Sequence, residues 1–145
     1  MELTVYSQSR LLHSANKWRV SHEYYDPLYN YLVHGLAPGG FFYRVLCNDW
    51  FGAIQSSHPL NSVQTLKAVS GWIRNTWPDA AFGGVDVVDQ WLASSDDVRR
   101  NALEQTGLIY TVAQEVELAL RDTNPERTLR EYNITLEFDM MLNKD

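Results

Sequence analysis

The segment Gly35–Asp49, which reads GLAPGGFFYRVLCND, restricts the fold more than any other part of the chain. Gly35 is a natural end for a helix, because glycine adopts the left-handed backbone conformation without a steric penalty. The run Pro38–Gly40 then predicts a tight elbow. From Phe41 to about residue 55, apolar residues cover most sides of a helix, which is typical of a central helix. Asp49 would lie near its buried side and would need a capping role or an arginine partner.

Further helices are predicted on both sides of this segment. Asp26-Pro27 favours a helix start, since aspartate caps free amides and proline at the first helical position loses no hydrogen bond. Capping residues and apolar residues at helical spacing predict four more helices, which begin after Asn61, Gly84, Ser94 and Thr111 and end near Trp77, Leu92, Gly107 and Arg121. On the last of these helices, Val112, Val116 and Leu120 are expected to face inward.

Both ends of the chain show a strand pattern. Apolar and polar residues alternate over Glu2–Tyr6 and again over Tyr132–Phe138, which predicts one short strand at each end. Residues 134–141 also fit a helical pattern. Two strands alone are marginally stable, so the pair is expected to pack on helices.

Length and composition indicate a single domain over residues 1–145. The predicted fold class is α+β and mainly α-helical: five to seven short helices surround the central apolar helix, and a small two-stranded β element joins the termini. The first ten residues lack the pattern of a secretion signal, and no apolar run approaches the roughly 20 residues that span a bilayer. We therefore expect a cytoplasmic protein without a membrane partner.

Charge is distributed unevenly along the chain, whose net charge is −6. Residues 1–75 contain six basic and four acidic residues, whereas residues 76–145 contain six basic and fourteen acidic ones. The acidic half disfavours a broad nucleic-acid surface, because neutralising phosphates requires clustered lysine and arginine. This half is suited to a basic partner, or it keeps the protein in solution.

No residue pattern indicates a cofactor, a metal site or a reaction. The four histidines lack the spacing of zinc-binding helices, and one cysteine cannot form a thiolate zinc site. Cys47 follows apolar residues in the predicted central helix, where a cysteine usually serves as a small hydrophobic residue. We therefore expect no cofactor and no enzymatic activity. The alternative is a small enzyme, whose catalytic group would comprise Cys47, His34, His58 and Asp49.

The segment around the elbow resembles a group of small proteins encoded by tailed bacteriophages and prophages, for which no activity is known. The matching residues are Tyr31, His34, Gly35, Pro38, Gly39, Gly40, Phe41, Asn48 and Asp49. A looser match continues to Trp91, so the resemblance covers about residues 28–92. Two positions depart from the pattern of this group. Trp50 stands where a small aliphatic residue is common, and Ser57-His58 stands where Ala-Asp is common. The resemblance implies a phage origin and expression in the bacterial cytoplasm.

These observations predict a non-catalytic bacteriophage accessory protein that binds and modulates or inhibits a host bacterial protein, such as a defence protein. The candidate contacts are aromatic and acidic side chains: Trp18, Tyr24, Tyr25, Asp86, Asp89, Asp96 and Asp97. The alternative is a protein that binds single-stranded nucleic acid, since basic and aromatic side chains together hold a strand and stack its bases. Its candidate residues are Arg10, Lys17, Arg19, Arg44, Lys67 and Arg74, with Trp18, Tyr24 and Tyr25. A homo-oligomer is left open.

Overall fold

In a computed structural model, residues 1–56 and 63–142 are described, with residues 56 and 135–142 as backbone alone. The elements are α1 (Val5–Lys17), α2 (His22–His34), α3 (Gly40–Leu46), α4 (Trp50–Ser56), α5 (Val63–Thr76), a 3-10 turn (Asp79–Ala81), α6 (Val85–Ala93), α7 (Asp96–Thr106), α8 (Val112–Arg121) and α9 (Pro125–Leu142). The predicted helical character is confirmed. The predicted α+β class is wrong, because the described residues contain no strand. None of these helices is both long and apolar enough to cross a membrane.

The predicted N-terminal strand is replaced by the start of α1. Thr4 is the N-cap, and its side-chain oxygen accepts a hydrogen bond from the amide of Ser7 at 3.4 Å. Leu3, just before the cap, is buried and anchors this end of the helix. A capped helix satisfies its first amides locally, whereas a five-residue strand would need a partner strand.

The predicted C-terminal strand is also wrong, because this part of the chain belongs to α9. The side-chain oxygen of Asn124 caps the helix by accepting from the amide of Arg127 at 3.1 Å. Pro125 occupies the first helical position without losing a hydrogen bond. Arg127 and Glu131 add an ion pair one turn apart. The helical interpretation of residues 134–141 is therefore the correct one.

The predicted central helix is two short helices, α3 and α4, with a break at residues 47–49. Asn48 has a left-handed backbone with a φ of 64°, which ends α3. Asp49 is exposed, and its carboxylate caps α4 by accepting from the amide of Gly52 at 2.9 Å. Phe51 and Ile54 are 76% and 59% exposed, so α4 is peripheral. A count of apolar residues along the chain does not reveal such a break.

Helices α1 and α2 occupy the centre instead. Helix α1 packs against α5, α8 and α9, and α2 packs against α7 and α9. Three tryptophans fill this core, since Trp72, Trp77 and Trp91 are at most 4% exposed. Tyr31 stacks on Trp77 with ring centroids 6.1 Å apart, and its hydroxyl donates to the carbonyl of Ala81 at 2.7 Å. The aromatic richness of the chain therefore mainly reflects core packing.

Helix α2 begins before the start predicted at Asp26-Pro27. Its first residue is His22, so the proline lies inside the helix. The free energy gained by burying the core face of α2 exceeds the cost of the backbone hydrogen bond that Pro27 cannot donate. The predicted end at Gly35 is confirmed, with a left-handed φ of 65°.

The other predicted caps had different outcomes. Thr111 and Gln114 form the capping box that begins α8, with both hydrogen bonds present. The cap predicted at Ser94 lies one residue later, because the oxygen of Ser95 accepts from the amide of Val98 at 3.3 Å. The cap predicted at Asn61 lies outside the described residues.

Candidate anion-binding site

A cleft of about 1170 Å³, named here the α5 cleft, lies beside α5 and is bounded by the chain that follows α1, the end of α3 and the start of α4. Three cationic side chains line it: Arg19, Lys67 and Arg74. The described residues that line the cleft include no acid. All three cations are exposed, so their charges are accessible to a ligand.

Two tryptophans add aromatic surface to the α5 cleft. Trp18 and Trp50 both line it, and both are half-buried. Nε1 of Trp50 donates to the side-chain oxygen of Asn48 at 2.9 Å, which restrains the ring. Gln64 and Asn75 contribute neutral amide groups. The cleft therefore combines positive charge with rings that can stack on a planar group.

Arg19 is held at the α5 cleft by an unusual backbone. Its φ is 60°, in the left-handed region that glycine usually occupies at the end of a helix. The amide of Arg19 donates to the carbonyl of Asn16 at 2.9 Å, and the next amide donates to the carbonyl of Ala15 at 3.1 Å. These bonds close α1. A side chain at such a position costs about 1 kcal/mol relative to glycine.

Gly71 allows Trp18 to lie against α5. A Cβ added at Gly71 would come within 2.8 Å of Cε3 of Trp18, closer than two carbon atoms pack. The indole therefore rests directly on the helix backbone. The position of Trp18 in the cleft depends on the absence of a side chain at residue 71.

A second depression, the α1 basin, adjoins the α5 cleft and shares Trp18 and Asn75 with it. Helix α1 lines this basin with Arg10, His13 and Lys17. Its described lining also contains no acid. The two depressions are neighbours with Trp18 in common, and their combined lining is named here the basic surface.

Ion pairing distinguishes the two halves of the chain. Within the described residues, none of the six basic side chains of residues 1–75 forms an ion pair with a carboxylate. Arg10 instead donates from Nε to the carbonyl of Gly107 at 2.6 Å. Four arginines of the second half are ion-paired: Arg99, Arg100, Arg121 and Arg127. The charge of the first-half cations is therefore not neutralised by these carboxylates.

Tyr24 and Tyr25, which are predicted with Trp18 to contact a partner, do not line the α5 cleft. Tyr25 is 4% exposed and belongs to the core, so it cannot contact a partner in this fold. Tyr24 is half-buried and packs edge-on against Phe42, with ring centroids 5.4 Å apart. Of these three aromatic candidates, Trp18 alone lines the basic surface.

The acidic candidates lie on α6 and α7, away from the lining of both depressions. All four are exposed: Asp86, Asp89, Asp96 and Asp97. Asp89 accepts a hydrogen bond from the hydroxyl of Tyr43 at 2.8 Å, and this bond is the main reason that the pKa of Tyr43 is raised to about 12. Asp96 pairs with Arg99. A role for these acids in partner binding stays a prediction.

The residues around the elbow have structural roles. A Cβ added at Gly35 would come within 2.7 Å of Nη1 of Arg99. Arg99 is 4% exposed and donates from Nε to the carbonyl of Val33 at 3.2 Å, which links α7 to α2. Pro38 is buried, and Gly39 has a φ of 90° at the N-cap of α3. The elbow therefore places α3 and leaves room for a buried arginine.

The structure describes three of the four residues of the alternative catalytic group. Cys47 is half-buried, and burial raises the pKa of its thiol, which keeps it protonated at neutral pH. Burial also lowers the pKa of His34, while Asp49 caps α4. His58 lies outside the described residues. Within the described residues, no cluster of three or more His, Cys, Asp or Glu side chains could hold a metal ion.

Helix α8 is rotated relative to the sequence prediction. The three aliphatic residues expected to face inward form an exposed line, named here the α8 row: Val112 (58% exposed), Val116 (54%) and Leu120 (83%). Glu115 faces inward instead and is 6% exposed. It pairs with Arg100 and accepts from the hydroxyl of Thr4. The prediction failed because partners on other elements make burial of this carboxylate favourable.

Comparison with known proteins does not assign either surface. No protein-family model, curated protein or solved structure matches the chain. The chemistry of the α5 cleft and of the α8 row is the basis on which a function can be proposed.

Proposed function

We propose that the protein is a non-catalytic binding protein that holds a phosphate-bearing polyanion in the α5 cleft. The observation that carries this proposal is the cluster of Arg19, Lys67 and Arg74 on a concave surface whose described lining contains no acid. Like charges gathered in one cleft repel each other, so a ligand with several negative charges relieves this repulsion. Guanidinium groups also match the geometry of phosphate oxygens.

The backbone of Arg19 gives independent support. Glycine at this left-handed position would make the fold more stable by about 1 kcal/mol. A strained residue persists where its side chain serves a purpose other than folding. Placement of a cation in the α5 cleft is such a purpose.

Binding of a short-chain inorganic polyphosphate, followed by tryptophan fluorescence at low ionic strength, tests this proposal. Lys67→Gln and Arg74→Gln should each weaken binding about tenfold, since each removes one charge-assisted hydrogen bond. Arg44→Gln is the matched control, because it removes the same charge from a residue that lines neither depression. Absence of saturable binding by the wild type, or an equal loss in Arg44→Gln, would contradict the proposal.

The variant Arg19→Gly tests whether the side chain of Arg19 serves ligand binding or the stability of the fold. This variant should bind polyphosphate more weakly than the wild type and should unfold at a higher urea concentration, by about 1 kcal/mol in the free energy of unfolding. Unchanged binding would remove Arg19 from the site. Lower stability would show that its side chain serves the fold.

A second candidate is the function expected from the sequence, a bacteriophage accessory protein that binds and inhibits a host bacterial protein. The α8 row favours it, because three aliphatic side chains lie in line on an exposed helix. This helix belongs to the half of the chain with an excess of eight acidic residues. The partner would present an apolar patch surrounded by basic side chains, which complements both features.

Retention of host proteins from a nuclease-treated lysate tests the second candidate. The test variant is Val116→Asp, and the matched control is Val85→Asp, at a residue of α6 that is 52% exposed. We expect the wild type and the control to retain a host protein that Val116→Asp does not retain. High salt should release this protein. Retention that does not depend on Val116 would contradict this candidate. A dimer of the protein itself, dissociated by Val116→Asp, would assign the α8 row to a homo-oligomer instead.

A further inference from the structure

We infer that the polyanion is a single strand of nucleic acid, which passes from the α5 cleft into the α1 basin and stacks a base on Trp18. This inference rests on the proposed function and adds the class of the ligand and its path. The two depressions meet at Trp18 and Asn75, so a ligand that occupies both passes over these residues.

The α1 basin extends the line of cations. Arg10 and Lys17 line it, and with the three cations of the α5 cleft they give five on the basic surface. A linear chain with one phosphate per unit matches such a series of charges. A compact ligand, such as a nucleoside triphosphate, would occupy one depression and leave the cations of the other without a phosphate.

Trp18 stands where the two depressions meet, and aromatic rings in such grooves hold bases by stacking. Its indole rests on the backbone of α5 at Gly71, so the ring is already positioned before a ligand arrives. The bases of a duplex are stacked on one another and are not free to stack on a side chain. The surface therefore favours a single strand over a duplex.

Three ligands of equal length, about 12 nucleotides, distinguish charge from stacking. They are oligo(dT), an abasic deoxyribose-phosphate strand and a DNA duplex. Oligo(dT) should bind the wild type at least about fivefold more tightly than the abasic strand, because the abasic strand offers phosphates without bases. Trp18→Ala should reduce this preference severalfold, since only the ring of Trp50 then lines the α5 cleft, while the affinity for the abasic strand persists. An unchanged preference in Trp18→Ala would overturn stacking on Trp18.

Salt dependence reports the length of the path. The logarithm of the association constant for oligo(dT) should fall linearly with the logarithm of the salt concentration. The expected slope is about −3.5 if all five cations contact phosphates, and about −2 if only the three cations of the α5 cleft do. Lys17→Gln should reduce the slope by about 0.7, and Arg44→Gln should leave it unchanged. A slope near −2 that Lys17→Gln does not alter would overturn the path through the α1 basin.

The remaining outcomes separate this inference from the proposed function. Equal affinities for oligo(dT) and the abasic strand, or tighter binding of the duplex, would overturn the inference while polyphosphate binding still stands. Failure to bind either oligo(dT) or polyphosphate would reject both. If Trp18→Ala does not fold, Gly71→Ala displaces the ring without removing it. That variant should also reduce the preference for oligo(dT) and keep its affinity for the abasic strand.

Discussion

Glu115 on α8 and Arg100 on α7 form an ion pair in which the glutamate is only 6% exposed. The same carboxylate accepts a hydrogen bond from the backbone amide of Thr4 at 3.3 Å, at the residue that caps α1. One side chain therefore ties three helices together. Because a buried carboxylate needs such partners, this contact sets the rotation of α8 and turns the α8 row outward.

Replacement of this carboxylate by its neutral isostere is expected to destabilise the protein. Glu115→Gln removes the more buried of the two carboxylates that pair with Arg100 and leaves only Glu104. We expect a loss of about 2–3 kcal/mol in the free energy of unfolding by urea. Glu117→Gln lies two residues further along α8, on an exposed face, and its partner Arg121 is exposed as well. This substitution should change stability by less than about 0.5 kcal/mol. Equal effects of the two substitutions would show that burial of the Glu115 pair is unimportant.

Acid should destabilise the protein through the same residue. Burial alone would raise the pKa of Glu115, yet its hydrogen bonds and ion pair hold the pKa below the ordinary value of 4.5. The partners are Thr4, Ser7 and Arg100. The stabilisation is therefore present above pH 4.5 and is lost as the pH falls through the lower pKa of the folded state. Urea unfolding at a series of acidic pH values should show this decline, and Glu115→Gln should make the decline shallower.

Gly35 and Gly107 both end helices, and alanine substitutions at these residues separate the cost of backbone strain from the cost of a steric clash. Gly35 and Gly107 both have left-handed backbones, with φ of 65° and 76°. Alanine at either position costs about 1 kcal/mol for the backbone alone. At Gly35 the new Cβ would also displace the buried guanidinium of Arg99, whereas at Gly107 the nearest atom is 3.7 Å away. We therefore expect Gly35→Ala to lower the melting temperature clearly more than Gly107→Ala does.

Added volume at Gly71, on α5, should destabilise the protein. Gly71→Ala forces the indole of Trp18 off the helix, and overpacking of this kind typically costs about 1–3 kcal/mol. Gly40→Ala is the control, because a Cβ at Gly40 meets no atom within 4 Å. Denaturant unfolding and the tryptophan emission maximum measure stability and ring environment together. An unchanged emission maximum would mean that Trp18 does not move.

The thiol of Cys47 is expected to react slowly. Burial is the main reason that its pKa lies above the ordinary value of 9.0, and the thiolate is the reactive form. The rate of alkylation by iodoacetamide, measured against pH in the folded protein, should therefore have a midpoint above 9.0. A midpoint near neutral pH would instead support the alternative of a small enzyme centred on Cys47.

Local signals in the sequence predicted local structure correctly. The end of α2 at Gly35 and the capping box of Thr111 and Gln114 were predictable, because each depends on a few neighbouring residues. The terminal strands were wrong for a related reason. A short alternating pattern is weak beside a cap such as Thr4 or Asn124, which satisfies the first amides of a helix within the chain.

Contacts between distant segments decided the rest. The sequence names Arg19, Lys67 and Arg74, but it does not show that the end of α1 and the face of α5 meet at one cleft. Nor does it show that Gly71 leaves room for Trp18, or that Arg100 and Thr4 reach Glu115. Most helix ends follow from hydrogen bonds within a turn, so the linear order of residues is sufficient for them. Which face of a helix is buried depends on partners far away in the chain, so the core, the basic surface and the α8 row exist only once the helices have packed.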